Sequence, residues 1–148
     1  KEYVIRDAAT VKAAQEFYAP QMELGKKQGE LGAQQGKLGA EQAELGRKQA
    51  ALGAEQAAIG VKQAGLALKP SDNSAKLQDE LGAKQDELGK KQDELGQQQD
   101  ALGKKQDELG RRQDELGRQQ DRAAKEAAEK LKPLLDEALR KGLAVELQ

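Results

Sequence analysis

The side chains best suited to chemistry in this chain are carboxylates set next to one another, such as Asp86-Glu87 and Asp93-Glu94. A general acid–base pair needs two carboxyls in one pocket whose surroundings drive their proton affinities apart. Here the pair recurs every seven residues, so its copies are equivalent and read as a solvated helix face. A calcium site needs a loop of alternating oxygen ligands, and Asp72-Asn73 alone is turn chemistry. The 148 residues include no histidine and no cysteine. That removes imidazole and thiolate catalysis, disulfides and the common zinc sites. Lys104-Lys105 and Arg111-Arg112 could touch phosphates, but acids are interleaved with them and aromatics are only 2% of the chain, where single-strand binders stack bases on aromatic platforms. The net charge of −1 supplies no field for a nucleic acid. The sequence therefore predicts a protein that is not an enzyme, with no catalytic residue, no metal ligand, no cofactor and no nucleic-acid partner.

The polar residues that remain distinctive are glutamines: Gln28, Gln35, Gln42, Gln49, Gln56 and Gln63, then Gln85, Gln92, Gln99, Gln106, Gln113 and Gln120. Such a column could line a groove for a polar ligand. Interhelical hydrogen bonding that fixes register accounts for it more simply.

What positions the glutamines is a seven-residue repeat. Leucine recurs at Leu24, Leu31, Leu38, Leu45 and Leu52, followed by Ile59 and Leu66. It recurs again at Leu81, Leu88, Leu95, Leu102, Leu109 and Leu116. Seven residues fit two turns of an α-helix. On the helical wheel Leu, the Gln four residues later and the Gly that follows Leu share one stripe, as positions d, a and e of a coiled-coil heptad. A stripe with one Leu per heptad is too narrow to lie on a membrane, and no run is apolar enough to span one. In the second array acids precede bases by four, at Glu80/Lys84, Asp86/Lys90, Glu87/Lys91, Asp100/Lys104, Asp107/Arg111 and Asp114/Arg118. That is the favourable orientation for helix-surface pairs, each contributing roughly 0.2–0.5 kcal/mol.

The repeat also places a glycine after nearly every Leu: twelve from Gly25 to Gly117. Each costs a helix roughly 0.8–1 kcal/mol relative to alanine. A β-solenoid would explain them, but β-branched residues are nearly absent from the arrays. The helical explanation is that glycine lets two backbones approach closely. On that reasoning Gly46→Ala and Gly96→Ala should each destabilise the protein. The predicted interface comprises Leu24, Gly25, Gln28, Leu45, Gly46 and Gln49 on the first arm. On the second arm it comprises Leu95, Gly96, Gln99, Leu116, Gly117 and Gln120.

Between the arrays, Pro70, Ser71, Asp72 and Asn73 form a strong turn signal. The step from Leu66 to Leu81 is one residue more than two heptads, so the stripe would rotate if one helix ran straight through. The fold predicted is mostly α: a long antiparallel helical hairpin, a glycine-containing coiled coil, with short helices and two short paired strands at the termini. The segments are a strand and short helix over 1–20, a first repeat helix over 21–68, a turn over 69–75, a second repeat helix over 76–124, and a kinked helix with a short strand over 125–148. Asp7 is expected to cap a helix carrying Val11, Ala14, Phe17 and Tyr18. Pro20 is expected to break or kink that helix, Pro133 to kink the last one, and Gly142 to end it. Strands are expected over 2–6 and 143–147, brought together by the hairpin. The residue after each Gln is Gly or Ala on the first arm and Asp on the second, as in Ala50 and Asp100. The smaller, less charged first arm suits packing on two sides, as in a homo-oligomer of hairpins.

Tyr3-Val4-Ile5-Arg6-Asp7-Ala8-Ala9-Thr10-Val11, Phe17-Tyr18-Ala19-Pro20-Gln21 and the Leu-Gly-x-x-Gln repeats together resemble the C-terminal region of bacterial membrane metallopeptidases of the M56 class. These are relatives of the sensor-transducers of β-lactam resistance. The ending from Leu134 to Ala144 resembles the close of such proteins. The family's zinc protease carries His-Glu-x-x-His. This chain has no His, so no metal or catalytic residue transfers, and nothing matches the penicillin-binding-type sensor fold. The resemblance implies an extracytoplasmic, periplasmic appendage to a membrane protease lying upstream, consistent with a chain that starts at Lys1. The functional expectation is a structural or interaction stalk that relays a signal to or from that protease. The alternative is a passive, desiccation-type protective repeat protein, largely disordered alone.

Overall fold

A computed structural model describes residues 2–146. The elements run β1 (Tyr3–Ile5), α1 (Ala8–Leu68), α2 (Ser74–Arg140) and β2 (Ala144–Glu146). The two helices form the predicted hairpin, with the two strands antiparallel at its termini. Two compact units divide the chain: Gln35–Glu108, which carries the turn, and Lys1–Gln34 with Leu109–Gln148, which carries both strands.

In the turn-bearing unit, α1 ends where Lys69 donates its backbone N–H to Gly65 (3.0 Å). Two serines close the turn. The Ser71 carbonyl accepts from the Ser74 amide (2.9 Å), and the Ser74 hydroxyl accepts from the Ser71 amide (2.6 Å). The Asn73 carbonyl then takes the first bond of α2, from Leu77 (3.1 Å). With the turn closed by the two serines and the Asn73 carbonyl already accepting a helical bond, α2 starts at Ser74 rather than 76. Ile59, Leu81 and Leu88 form the core of this unit, with Leu52 and Leu66 packed against them. All five are repeat positions.

The terminal unit shows what the chain does outside the repeat. Asp7 caps α1, its Oδ2 accepting from both the Thr10 amide (2.9 Å) and the Thr10 hydroxyl (2.7 Å). The separate short helix expected over 1–20 is instead the first part of α1, which runs unbroken through Pro20. Proline removes one backbone donor, which leaves the Glu16 carbonyl without a helical partner. Glu16 and Pro20 are both solvent-exposed, so the lost bond is not a buried one, and helix-forming neighbours on both sides carry the helix through. Pro133 lies inside α2 in the same way.

The C-terminus of α2 carries paired bonds from Gly142 to Leu139 (3.1 Å) and from Leu143 to Ala138 (2.9 Å). This is the motif that glycine favours in the left-handed conformation, and Gly142 has φ of 70°. The turned chain enters β2, where Tyr3 faces Glu146, Val4 faces Val145 and Ile5 faces Ala144. Leu147, at the end of the expected strand, lies outside the described residues. Ala127 and Ala138 are the most buried residues of this unit.

Candidate functional site

The seam of the hairpin is one leucine wide. Leu31, Leu38, Leu45, Ile59, Leu81, Leu88, Leu102 and Leu109 are buried, while Leu24, Leu52, Leu66, Leu95 and Leu116 are half-buried. Beside this column the glutamines pair one to one. In the turn-bearing unit Gln63 donates to Gln85 (3.3 Å), Gln92 to Gln56 (3.2 Å), Gln99 to Gln49 (3.5 Å) and Gln106 to Gln42 (3.1 Å). In the terminal unit Gln120 donates to Gln28 (3.0 Å). The partners' numbers add to 148 in every pair, so one register holds throughout this ladder. A carboxamide both donates and accepts, so two identical residues satisfy each other without placing a charge at the seam. Most of these glutamines are exposed, so each bond sits at the low end of roughly 0.5–1.5 kcal/mol. Their repetition matters more for register than for total stability. A shift by anything other than a whole heptad would break all of them together.

The glycines do not behave as expected. A β-carbon built on Gly25, Gly46, Gly96, Gly117 or any other repeat glycine meets nothing within 4 Å. The close backbone approach inferred from sequence is therefore absent. The wheel places glycine correctly beside the seam, but the interaxial distance is set by the Leu side chains that meet at d. The glycines line an open face on both sides of the glutamine ladder. Those on α1 are exposed, and those on α2 are mostly half-buried.

Charges decorate the rest. Of the six acid–base pairs expected along the second array, Glu87–Lys91 comes within 4 Å (2.9 Å). The others stay apart because exposed side chains lose as much in hydration and freedom as they gain by pairing. Glu44–Lys48 (3.0 Å) and Glu137–Lys141 (2.6 Å) make similar pairs, and Glu115 reaches Arg122 (3.5 Å). The hydrogen bond from Lys48 holds Glu44 below its ordinary pKa, and those from Lys91 and Lys141 do the same for Glu87 and Glu137. Lys91 is raised, first by Glu87, with a further contribution from Glu55 across the seam. The Thr10 bonds lower Asp7.

The edge of the seam opposite the ladder carries shallow grooves that sequence reasoning missed. One of about 290 Å³ lies between Glu41, Leu45, Gln98 and Lys105, and a neighbour of about 320 Å³ lies between Ala51, Leu52, Lys91 and Leu95. A signal for them was present. The heptad at Leu95 has Gln97, Gln98 and Ala101 where most second-array heptads carry basic and acidic residues. Among the described residues, no three His, Cys, Asp or Glu are placed to hold a metal ion, and no helix is long and apolar enough to cross a membrane.

The fold and its ladder define a class: an intramolecular antiparallel coiled coil in register through paired carboxamides. No protein-family model, curated protein or solved structure matches the chain.

Proposed function

We propose that this chain is a non-catalytic stalk, a structural and interaction element whose glutamine ladder holds its two helices to whole-heptad registers. The observation that carries the reading is the ladder itself, with cross-seam amide pairs such as Gln28–Gln120, Gln42–Gln106 and Gln63–Gln85 at 3.0–3.3 Å in one register. A helix pair in a defined register transmits displacement from one end to the other, whereas a disordered protective chain has no register to keep. Circular dichroism of the isolated chain tests this. Cooperative thermal melting supports the stalk. Weak helicity without a transition overturns it in favour of a passive protective protein.

The N-terminal motif and the Leu-Gly-x-x-Gln repeats further support the proposal that the stalk is a periplasmic appendage of an M56-class membrane metallopeptidase and relays a signal to or from it. The reading frame upstream of Lys1 provides the test. Hydrophobic segments carrying His-Glu-x-x-His are the expected finding, and an upstream frame without them removes the peptidase from the proposal while leaving the stalk.

A further inference from the structure

The repeat that builds the hairpin leaves it a second way to pair. In the turn-bearing unit the observed register joins Gln42 to Gln106, Gln49 to Gln99, Gln56 to Gln92 and Gln63 to Gln85. It also places Leu45 by Leu102, Leu52 by Leu95 and Leu66 by Leu81, with Ile59 against Leu88. Drawing α2 back from the turn by one heptad, about 10 Å, brings Gln42 to Gln99, Gln49 to Gln92 and Gln56 to Gln85. Gln63 would then meet Gln78, and Gln35 would meet Gln106. The leucine column re-forms as well, with Leu38 by Leu102, Leu45 by Leu95, Leu52 by Leu88 and Ile59 by Leu81. The number of apolar and amide pairs within this unit does not fall, although Leu66 exchanges Leu81 for Ser74.

The turn permits the movement in that direction only. In the observed register Leu68, the last residue of α1, lies level with Glu80, so the first residues of α2 overhang by about 9 Å at 1.5 Å per residue. Withdrawal by one heptad removes the overhang. Advance by one heptad would extend it to about 20 Å, in addition to the 8–10 Å between helix axes. That is at or beyond the reach of the extended 69–73 link, at about 3.3–3.6 Å per residue.

Two features favour the observed register. At the groove edge Glu41 and Lys105 line the same groove on opposite helices and Glu55 lies near Lys91, at the cost of Lys62 near Lys84. Withdrawal would set Glu41 opposite the neutral Gln98 and Lys48 opposite Lys91, and keep one favourable pair, Glu55 with Lys84. In the terminal unit, the strand pairing of Val4 with Val145 fixes the observed alignment. Both helices are continuous, so a displaced register must break that pairing. We infer that the hairpin has two registers one heptad apart, with the edge charges and the three-residue ribbon as the latch that selects the observed one. This stands on the repeat and the turn, whatever partner the stalk serves.

The chain has no cysteine, so introduced thiols report the register directly. Three double variants of the full chain would be bridged with a short bifunctional thiol reagent: Gln49→Cys with Gln99→Cys, with Gln92→Cys, and with Gln106→Cys. Only intrachain product is counted. The first reports the observed register, the second the withdrawn one, and the third the advanced one that the link forbids. The 49/99 pair should bridge most in the parent, with 49/92 above 49/106. Raising salt to about 1 M, which screens the edge charges, should increase 49/92 several-fold at the expense of 49/99. Val145→Pro, which breaks the ribbon, should do the same. If Val145→Pro loses helicity, the salt series on the unaltered ends still decides. A 49/92 yield no higher than 49/106 under every condition overturns the inference.

Discussion

Replacing a repeat glycine by alanine separates two accounts of the seam. Gly46 on α1 is exposed and Gly96 on α2 is half-buried, and a β-carbon on either meets nothing within 4 Å. The overpacking penalty, typically 1–3 kcal/mol, therefore does not arise. What remains is helix propensity, a gain of roughly 0.8–1 kcal/mol per site. For a chain of this size that raises the melting temperature by about 2–4 °C per site. Gly142→Ala is the internal control. Its φ of 70° costs a side-chain-bearing residue roughly 1–2 kcal/mol, so this variant should melt lower. The assay is thermal and chemical denaturation followed by circular dichroism, at two protein concentrations well apart. If Gly46→Ala and Gly96→Ala both melt below the parent at the lower concentration, the helices approach more closely than the leucine column allows, and the reasoning fails. If they do so only at the higher concentration, a second hairpin covers the glycine face.

Other expectations follow from the same geometry. Leu88→Ala, at the most buried leucine (4% exposed), should destabilise by about 2–3 kcal/mol, and Leu95→Ala, half-buried, by visibly less in the same denaturation series. Glu44, Glu87, Glu137 and Asp7 all have lowered pKa values. Their contributions are complete above the ordinary carboxylate values of 4.5 and 3.8 and are lost as pH falls through the lowered ones. Melting temperature should therefore decline on acidification below about pH 4.5. Lys91 is raised, so its share persists below 10.5 and disappears as pH climbs through the raised value. Deleting residues 143–148 should expose the Val4 and Ile5 amides to fast hydrogen exchange, and unchanged protection would mean that the strand pairing contributes nothing in solution.

The hairpin was legible because two independent signals agreed: the heptad stripe, and the Pro70-to-Asn73 turn with its one-residue phase step. The glutamine ladder was legible as a column, since 3.6-residue geometry puts each Gln beside its Leu. Its register was not, because identical heptads offer several alignments, and the reach of the turn, the edge charges and the strand pairing together choose among them. The glycine reading failed for a related reason. A wheel gives the direction in which a residue points but carries no interaxial distance, and a one-Leu layer holds the backbones farther apart than glycine requires. Pro20 was read as a boundary because proline removes a donor. On a solvent-facing turn that loss is a single bond, too small to stop a helix of 61 residues.

No large side chain is fully buried anywhere in the described chain, and this has a mechanical consequence. Each heptad layer is held by its own leucine pair and amide pair and touches only the layers beside it, as in repeat proteins whose stability sums over neighbours. Because Ile5 and Ala144 are paired, a load applied through those strands would part the layers one after another rather than all at once. The resisting force would then be low and nearly constant over many heptads, giving a yielding tether instead of a brittle strut.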